Sequence, residues 1–439
     1  ARLMLAAIAG MSPNDTTNTL TTRIIFGNDK HPELVYTDLA TGKTSDPDYQ
    51  RTDIQTAFPG YRHEGGANLY RGEDVGYGGY VYAEPGMYGR TITFDVASMH
   101  PSSIIAMNVF GKYTDHFKEI LQARIAIKHK DFETAKKMMG GVLAPYLDDP
   151  DNAKAVANAL KTAINSVYGL TSASFANPFR DPRNVNNIVA LRGALFMVNL
   201  KHEVQDRGFT VAHVKTDSIK VVEPTPEICE FIVEYGKSYG YNFEIEHVFE
   251  KICLVNNSVY IAKLAEDDPE DPGKWTATGA QFAVPYVFKT LFSKEPLEFK
   301  DFCETKTVAK AEMYLDFNEN LPDVSAIEAL REKTLKKTPS ADVSKLDADI
   351  AAGHNYRFVG RAGLFCPIKE GAGGGRLVKT ANGIKFDSVT GTKDYRWMEA
   401  EVVESLGKQA DIDQTYYQNL INSAIDDISN FGDFYMFAE

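Results

Sequence analysis

The sequence predicts an α+β fold spread over more than one domain. Three observations carry this. Thr91–Asp95 alternates apolar and polar residues, and Phe209–Val222 reads as two strands about a tight turn. Amphipathic helical patterns lie between these strands, at 115–139 and 152–168. At 439 residues the chain also exceeds what a single small core organises.

The net charge of −13 argues against a uniformly basic nucleic-acid binder, but the charge is unevenly spread. From Arg331 to Ala400 there are 13 Lys/Arg against 8 Asp/Glu, whereas from Glu401 to Glu439 one Lys faces 8 acids. Cys229, Cys253, Cys303 and Cys366 are scattered and form no CxxC pair, so buried thiols are expected rather than a zinc knuckle or a disulfide framework. No apolar run reaches the ~20 residues that span a bilayer. Leu3–Gly10 is short and apolar, and Ala1 reads as the start of a fragment, a processed product or a trimmed chain.

Taken in order, Thr21–Phe26 reads as a short strand and Gly42–Asp48 as a loop. Glycines are dense from Tyr61 to Tyr88. Gly78 and Gly79 would let backbone approach a ligand, with Tyr77 and Tyr80 as stacking faces; an ordinary hairpin turn is the alternative. On the helix over 115–139, Arg124 and Lys128 share a face at i, i+4. The helix over 152–168 has an apolar set, Val156, Ala159, Leu160, Ala163, Ile164 and Val167. Its opposite stripe is Lys154, Asn158, Lys161, Asn165 and Tyr168, either a phosphate clamp or a solvated face. Further helices are expected at Leu191–Asp206 and Pro226–Gly240, strands over Phe243–Lys263, and an acidic surface loop at Glu266–Gly273. From Glu298 onward the chain reads as mostly helical, with a basic, glycine-rich section at Gly353–Trp397 and a last helix over Glu399–Ile428.

The stretch Thr91–Ile105 organises the rest. Asp95 falls at a strand end, and Pro101 ends the ladder and biases His100 towards an extended conformation. The hairpin at 209–222 places Asp217 at its tip. Two carboxylates on separate strand ends suit a pair of divalent ions, which clamp the two oxygens of an in-line phosphoryl transfer.

At these positions the chain resembles the family-B DNA polymerases. Asp95-Val-Ala-Ser-Met-His-Pro-Ser102 is similar to their first motif, Asp-x-x-Ser-Leu-Tyr-Pro-Ser. Lys161-Thr-Ala-Ile-Asn-Ser-Val-Tyr-Gly169 matches Lys-x-x-x-Asn-Ser-x-Tyr-Gly in full, and Lys215-Thr-Asp-Ser218 resembles Asp-Thr-Asp-Ser. Tyr77-Gly78-Gly79 resembles the Tyr-x-Gly-Gly motif before the palm, and Arg124-x-x-x-Lys128 the basic pair of the first fingers helix. The likeness is clear from about Tyr77 to Val222 and fades through Lys263.

The resemblance implies a right-hand architecture: an antiparallel palm sheet, two-helix fingers and a mostly helical thumb. Residues 1–94 would be a linker and the start of the palm, 95–111 palm, 112–170 fingers, 171–297 palm, and 298–439 thumb and tail. It implies template-directed DNA synthesis from dNTPs on a primer–template DNA, with two Mg2+ ions, or Mn2+ in their place. Asp95, Asp217 and the Val96 carbonyl would hold the metals. Ser98, Met99, His100, Arg124, Lys128, Lys161 and Asn165 would bind the dNTP, with Lys161 also the acid for departing pyrophosphate. Tyr77, Gly78, Gly79, Tyr168, Gly169, Thr216 and Tyr260 would contact DNA.

Three departures stand out. His100 occupies the place of a tyrosine that rejects the 2′-hydroxyl. Lys215 replaces the first Asp of the third motif. Ser258-Val-Tyr260 lacks the usual Lys, so a primer anchor is lost or supplied by Lys251 or Lys263. The rival reading is an inactive, DNA-binding subunit, motivated by Lys215. No Asp-x-Glu exonuclease motif occurs in residues 1–94, so proofreading is expected to be lost, cut off or carried on another chain or upstream domain. The interval from Asp95 to Lys161 leaves no room for a terminal-protein-binding insertion, so the primer is expected to be nucleic acid. Phe431–Glu439 resembles sliding-clamp-binding peptides, or is a tail packed on its own domain. The whole resembles a bacteriophage enzyme, implying the cytoplasm of an infected bacterium and no membrane.

Overall fold

A computed structural model describes residues 1–29, 54–171, 173, 187–317 and 321–439. The expected loop at Gly42–Asp48 lies outside them. Two compact units are present: residues 1–250 with 264–272, and 251–263 with 273–439. No helix among the described residues is long and apolar enough to cross a membrane.

The first unit opens with helices α1 (Arg2–Ala9) and α2 (Thr17–Phe26). The segment read as a strand at Thr21–Phe26 is thus helical. Thr16 caps it by accepting from the Thr19 amide, and Leu20, Ile24 and Ile25 fall on one buried face. A short helix α3 (Ile54–Ala57) precedes a small antiparallel sheet, β1 (Arg62–Glu64), β2 (Ala67–Tyr70) and β3 (Glu73–Asp74).

Then come β4 (Val81–Ala83), β5 (Gly86–Tyr88), β6 (Thr91–Val96), α4 (Met99–Ala106), α5 (Thr114–Lys128), α6 (Phe132–Ala135), α7 (Pro150–Thr171) and α8 (Ile188–Asp206). The hairpin β7 (Val211–Lys215) and β8 (Ser218–Val222), helix α9 (Pro226–Ser238) and the start of β9 (Phe243–Asn256) complete the unit. In the sheet order β9-β6-β8-β7-β4, β6 is an interior strand between β9 and β8, and β5 also pairs with β9. Thr91 and Thr93 are fully buried, so β6 is covered on both faces rather than half-buried as its alternation suggested. The single long helix expected over 115–139 is two. Lys130 turns left-handed at φ 61°, and Asp131 restarts the chain by accepting from the Thr134 amide. The expected acidic surface loop is partly interior. Asp268 is buried and accepts from the amides of Val248, Glu270 and Asp271 at 2.8, 3.0 and 2.8 Å.

The first unit has two apolar cores. One joins α1, α2, α5 and α7, and the other packs α8 and α9 on β6, β7 and β8. In α7 the predicted apolar set is buried, while Lys154, Asn158, Lys161 and Asn165 are exposed.

The second unit contains β10 (Val259–Leu264) paired antiparallel with β11 (Trp275–Thr278), then α10 (Ala280–Ala283) and α11 (Pro285–Phe288). Beyond them it is mixed, not mostly helical. Strands β12 (Glu304–Thr307) and β13 (Met313–Asp316) precede helices α12 (Ser325–Lys337) and α13 (Ser344–Ala351). Strands β14 (Tyr356–Gly360), β15 (Ala362–Ile368), β16 (Arg376–Ala381), β17 (Lys385–Ser388) and β18 (Arg396–Glu399) follow. They build two antiparallel sheets, β12-β15-β18 and β14-β13-β16-β17. Charged and glycine residues on the outer positions hide the alternation of these strands, whose inward residues Leu315, Phe365, Leu377 and Trp397 are buried.

The last helix is also divided, into α14 (Ala400–Ser405) and α15 (Gln414–Ser429), by a turn with Gly407 at φ 62°. The tail forms α16 (Phe434–Ala438) and packs on its own unit. Phe434 and Phe437 are buried, Phe437 against Trp275 at 5.7 Å between ring centroids, while Tyr435 and Met436 are exposed. Lys251, a suggested primer anchor, lies 5.5 and 5.7 Å from the centroids of Trp275 and Phe437. All four cysteines are free; Cys253, Cys303 and Cys366 are buried as expected, whereas Cys229 is half-buried.

Candidate active site

Strand β6 carries Asp95 between two antiparallel neighbours, opposite Ser218 of β8 and Glu244 of β9. The Val96 amide donates to the Asp217 carbonyl at 2.8 Å, which ties the strand end to the hairpin tip. Thr216 and Asp217 form the two-residue turn between paired Lys215 and Ser218. Thr216 has φ 55°, a costly conformation for a β-branched residue. The neighbouring loop holds it there. The Thr216 amide donates to the Tyr80 carbonyl at 2.8 Å, and a Cβ on Gly79 would lie 2.3 Å from Thr216 Oγ1. Gly79 is therefore needed for close approach to the hairpin, whereas a Cβ on Gly78 would meet open space.

Burial, then the charges of Asp217, Glu246 and Glu244, push the Asp95 carboxyl up to about 7, with Lys220 opposing. Burial also raises Asp217, against its own backbone hydrogen bond and His100. Lys220 is buried on β8 and is brought down to about 8 by burial, with Glu246 opposing. Glu244 and Glu246 were not singled out in the sequence. Their i, i+2 spacing on an expected strand was the available signal, but their placement beside Asp95 depends on cross-strand register. Carboxylates repelling one another at a partly buried strand end fit a hard divalent cation, which takes one or two carboxylates plus waters and phosphate oxygens. Among the described residues no group of three or more His, Cys, Asp or Glu converges as a ready-made metal cage.

A pH prediction follows from Asp95. Its folded pKa exceeds the unfolded 3.8, so between the two values the folded state holds more proton than the unfolded. Stability without metal therefore falls as pH rises through this window, and the loss is complete above about 7. In EDTA, raising pH from 5 to 8 is expected to lower the thermal midpoint of the wild type more than that of Asp95→Asn, by at least about 2 °C. Parallel pH profiles for the two proteins would show that Asp95 is not held in this repulsive setting.

Ser98 turns at φ 60° and α4 starts immediately at Met99. His100 is thus helical, not extended. Pro101 sits in the first helical turn, where its missing N–H costs nothing. The Met99 side chain is core: a Cβ on Gly193 would come within 2.5 Å of its sulfur, leaving only its backbone for a ligand. The His100 ring stacks on Tyr168 at 4.2 Å between centroids and 11° between planes. Its Nδ1 is buried without a hydrogen-bond partner among the described residues. Burial lowers the His100 pKa, with Asp217 opposing.

Tyr168 donates to Asn187 Oδ1 at 2.9 Å, and Asn187 Nδ2 donates to the Tyr77 carbonyl at 2.7 Å. The side chain of Asn187, also unremarked in the sequence, thereby joins two of the expected DNA contacts. Arg124 donates to Ser98 Oγ at 3.3 Å and binds α5 to the turn after Asp95. Burial lowers the Arg124 pKa, with Glu244 opposing. Lys128 is instead paired with Glu244 at 3.0 Å. Lys161 and Asn165 stand exposed on α7, and Gly169 is exposed in its last turn. Lys161 makes no ion pair among the described residues. Tyr260 lies on β10, in the second unit.

No family model matches the sequence, and no curated protein matches it. Among solved structures, the family B DNA polymerase from the hyperthermophilic archaeon Pyrobaculum calidifontis is distantly similar, with a TM-score of 0.44 and 12% identity. The match covers 98% of this chain and 53% of that one, so this chain spans about half its length. At that distance the likeness transfers no residue roles.

Proposed function

We propose that the chain is a primer-dependent, template-directed DNA polymerase of the family-B kind, acting by nucleotidyl transfer from dNTPs. The observation that supports this most is the meeting of Asp95 and Asp217 beside a turn tied by Ser98 to Arg124. In the proposed reaction the primer 3′-hydroxyl gives up its proton to water as its oxygen forms a bond to the α-phosphorus of the dNTP, while the bond to pyrophosphate breaks. Two Mg2+ ions, or Mn2+ in their place, would be held by Asp95, Asp217 and the Val96 carbonyl and would supply Lewis acidity and charge neutralisation.

Arg124 and Lys161 bind the triphosphate, beside the backbone amides of Ser98 and Met99. Lys128 joins them on releasing Glu244. Lys161 Nζ gives its proton to the departing pyrophosphate oxygen. Asn165, Tyr168 and Gly169 line the nascent base pair, and Tyr77, Gly78, Gly79 and Thr216 face the template. Residues 95–111 and 171–297 serve as palm, 112–170 as fingers and 298–439 as thumb; Tyr260 serves the primer. A phage origin belongs to the same proposal.

Primer extension in Mg2+ is the direct test. Failure of the wild type to extend a primer would favour the inert DNA-binding subunit that Lys215 suggests. A second expectation concerns sugar selection. The His100 ring, fixed by its stack on Tyr168, forms the floor under the incoming sugar. His100→Gly is expected to raise ribonucleotide over deoxyribonucleotide incorporation by about 10-fold or more. An unchanged ratio in competition assays would remove His100 as the gate.

A further inference from the structure

The second unit has a cleft of about 700 Å3 at the outer edge of the sheet that β14 begins. Phe317, Asp323, Arg357, Phe358, Gly374 and Arg396 border it. Its volume is that of a site for a nucleotide-sized ligand. Phe358 is 58% exposed, an uncommon setting for a large aromatic ring. The ring is nonetheless held, because Tyr314 packs against it edge-on at 5.6 Å and 65°.

The Arg357 guanidinium lies 5.1 Å from the Phe317 ring centroid, which makes a second flat surface. Arg396 supplies a third planar group. It donates to the Gly374 carbonyl through Nε and Nη2 at 3.2 and 3.0 Å. Gly374 is needed there, since a Cβ would come within 2.9 Å of the Trp397 carbonyl oxygen. Of two carboxylates near the cleft, Glu399 pairs with Arg357, while Asp323 accepts from the Ser325 amide at 3.1 Å and keeps its negative charge. The surrounding stretch, residues 331–400, has the chain's excess of basic residues.

We propose that this cleft binds an unpaired stretch of a single nucleic-acid strand. Bases lie against Phe358 and the Arg357–Phe317 pair, with phosphate beside Arg396. Aromatic faces beside guanidinium groups are the chemistry of sequence-tolerant single-strand binding. The rival occupant is an extended polypeptide added to the edge of β14. That strand has only five residues, its pairing is interrupted between Met313 and Tyr314, and it exposes a charged Arg357. Each feature discourages strand addition. The proposal extends beyond polymerase activity and requires neither Asp95 nor Asp217.

The test uses the full chain in EDTA without nucleotides, with a fluorescent oligo-dT carrying 5-iodouracil. Anisotropy reads affinity, and photocrosslinking followed by peptide mapping reads the site. The expected crosslink falls in the peptide containing Phe358. Phe358→Ala loses it and binds about 5- to 100-fold more weakly, whereas Phe358→Trp and Asp217→Ala keep it. No binding, or a crosslink elsewhere with unchanged Phe358→Ala affinity, overturns the proposal and leaves the β14 edge to a polypeptide. A retained Phe358 crosslink in a protein that cannot extend primers would sink the polymerase reading alone.

Discussion

Primer extension by Asp217→Ala is expected to fall about 10^3-fold or more below wild type in Mg2+. Nothing else in the site can replace the lost carboxylate without moving a strand. Asp217 occupies the tip of a two-residue turn whose strained Thr216 is locked by Tyr80 and Gly79. Glu244 and Glu246 lie on β9, across β6 from the hairpin tip. Misfolding would not explain the loss. Asp217 is a partly buried carboxylate whose pKa is raised by that burial, so its removal relieves a desolvation cost in the metal-free chain. The variant should therefore keep the wild-type thermal midpoint in EDTA, or exceed it, while losing the Mg2+-dependent stabilisation of wild type. Extension within tenfold of wild type would rule out Asp217 as a metal ligand.

The parts of the site that were legible in the sequence are those set by local rules. Period-2 alternation located β6 and the β7–β8 hairpin, and helical period placed Lys161, Asn165 and Tyr168 on one stripe of α7. What failed depended on tertiary context or on a competing local signal. Thr21–Phe26 has strand-forming residues, yet the Thr16 cap and packing beside α1 and α7 make it a helix. The break after Lys128 was signalled by Asp131-x-x-Thr134, a cap pattern hidden by the polar run around it. His100 was misplaced because Pro101 was read as a strand terminator rather than a first-turn residue. Glu244, Glu246 and Asn187 reach the site through strand register and helix docking, which no spacing in the sequence encodes. The second unit was misread for a related reason. Its strands place charge and glycine outward, so composition resembled a basic loop where two sheets form.

Lys161 offers the sharper separation of binding from proton transfer. It is exposed on α7 and makes no ion pair among the described residues, so its replacement should change folding stability by less than about 0.5 kcal/mol. Lys128 differs, since its ammonium is held by Glu244 and must first be released. Lys161→Ala is expected to lower kcat about 10^2- to 10^4-fold and to raise the KM for dNTP, because the proposed function gives Lys161 both a phosphate contact and a proton transfer. Lys161→Arg separates the two. A guanidinium keeps the positive charge but does not release a proton in the relevant pH range. The Arg variant should thus keep KM near wild type while kcat stays low. Equal recovery of both constants in Lys161→Arg would assign Lys161 to charge alone. A kcat within threefold of wild type in Lys161→Ala would remove it from the chemistry and leave Arg124, anchored to Ser98, as the cation of the helix pair to test next.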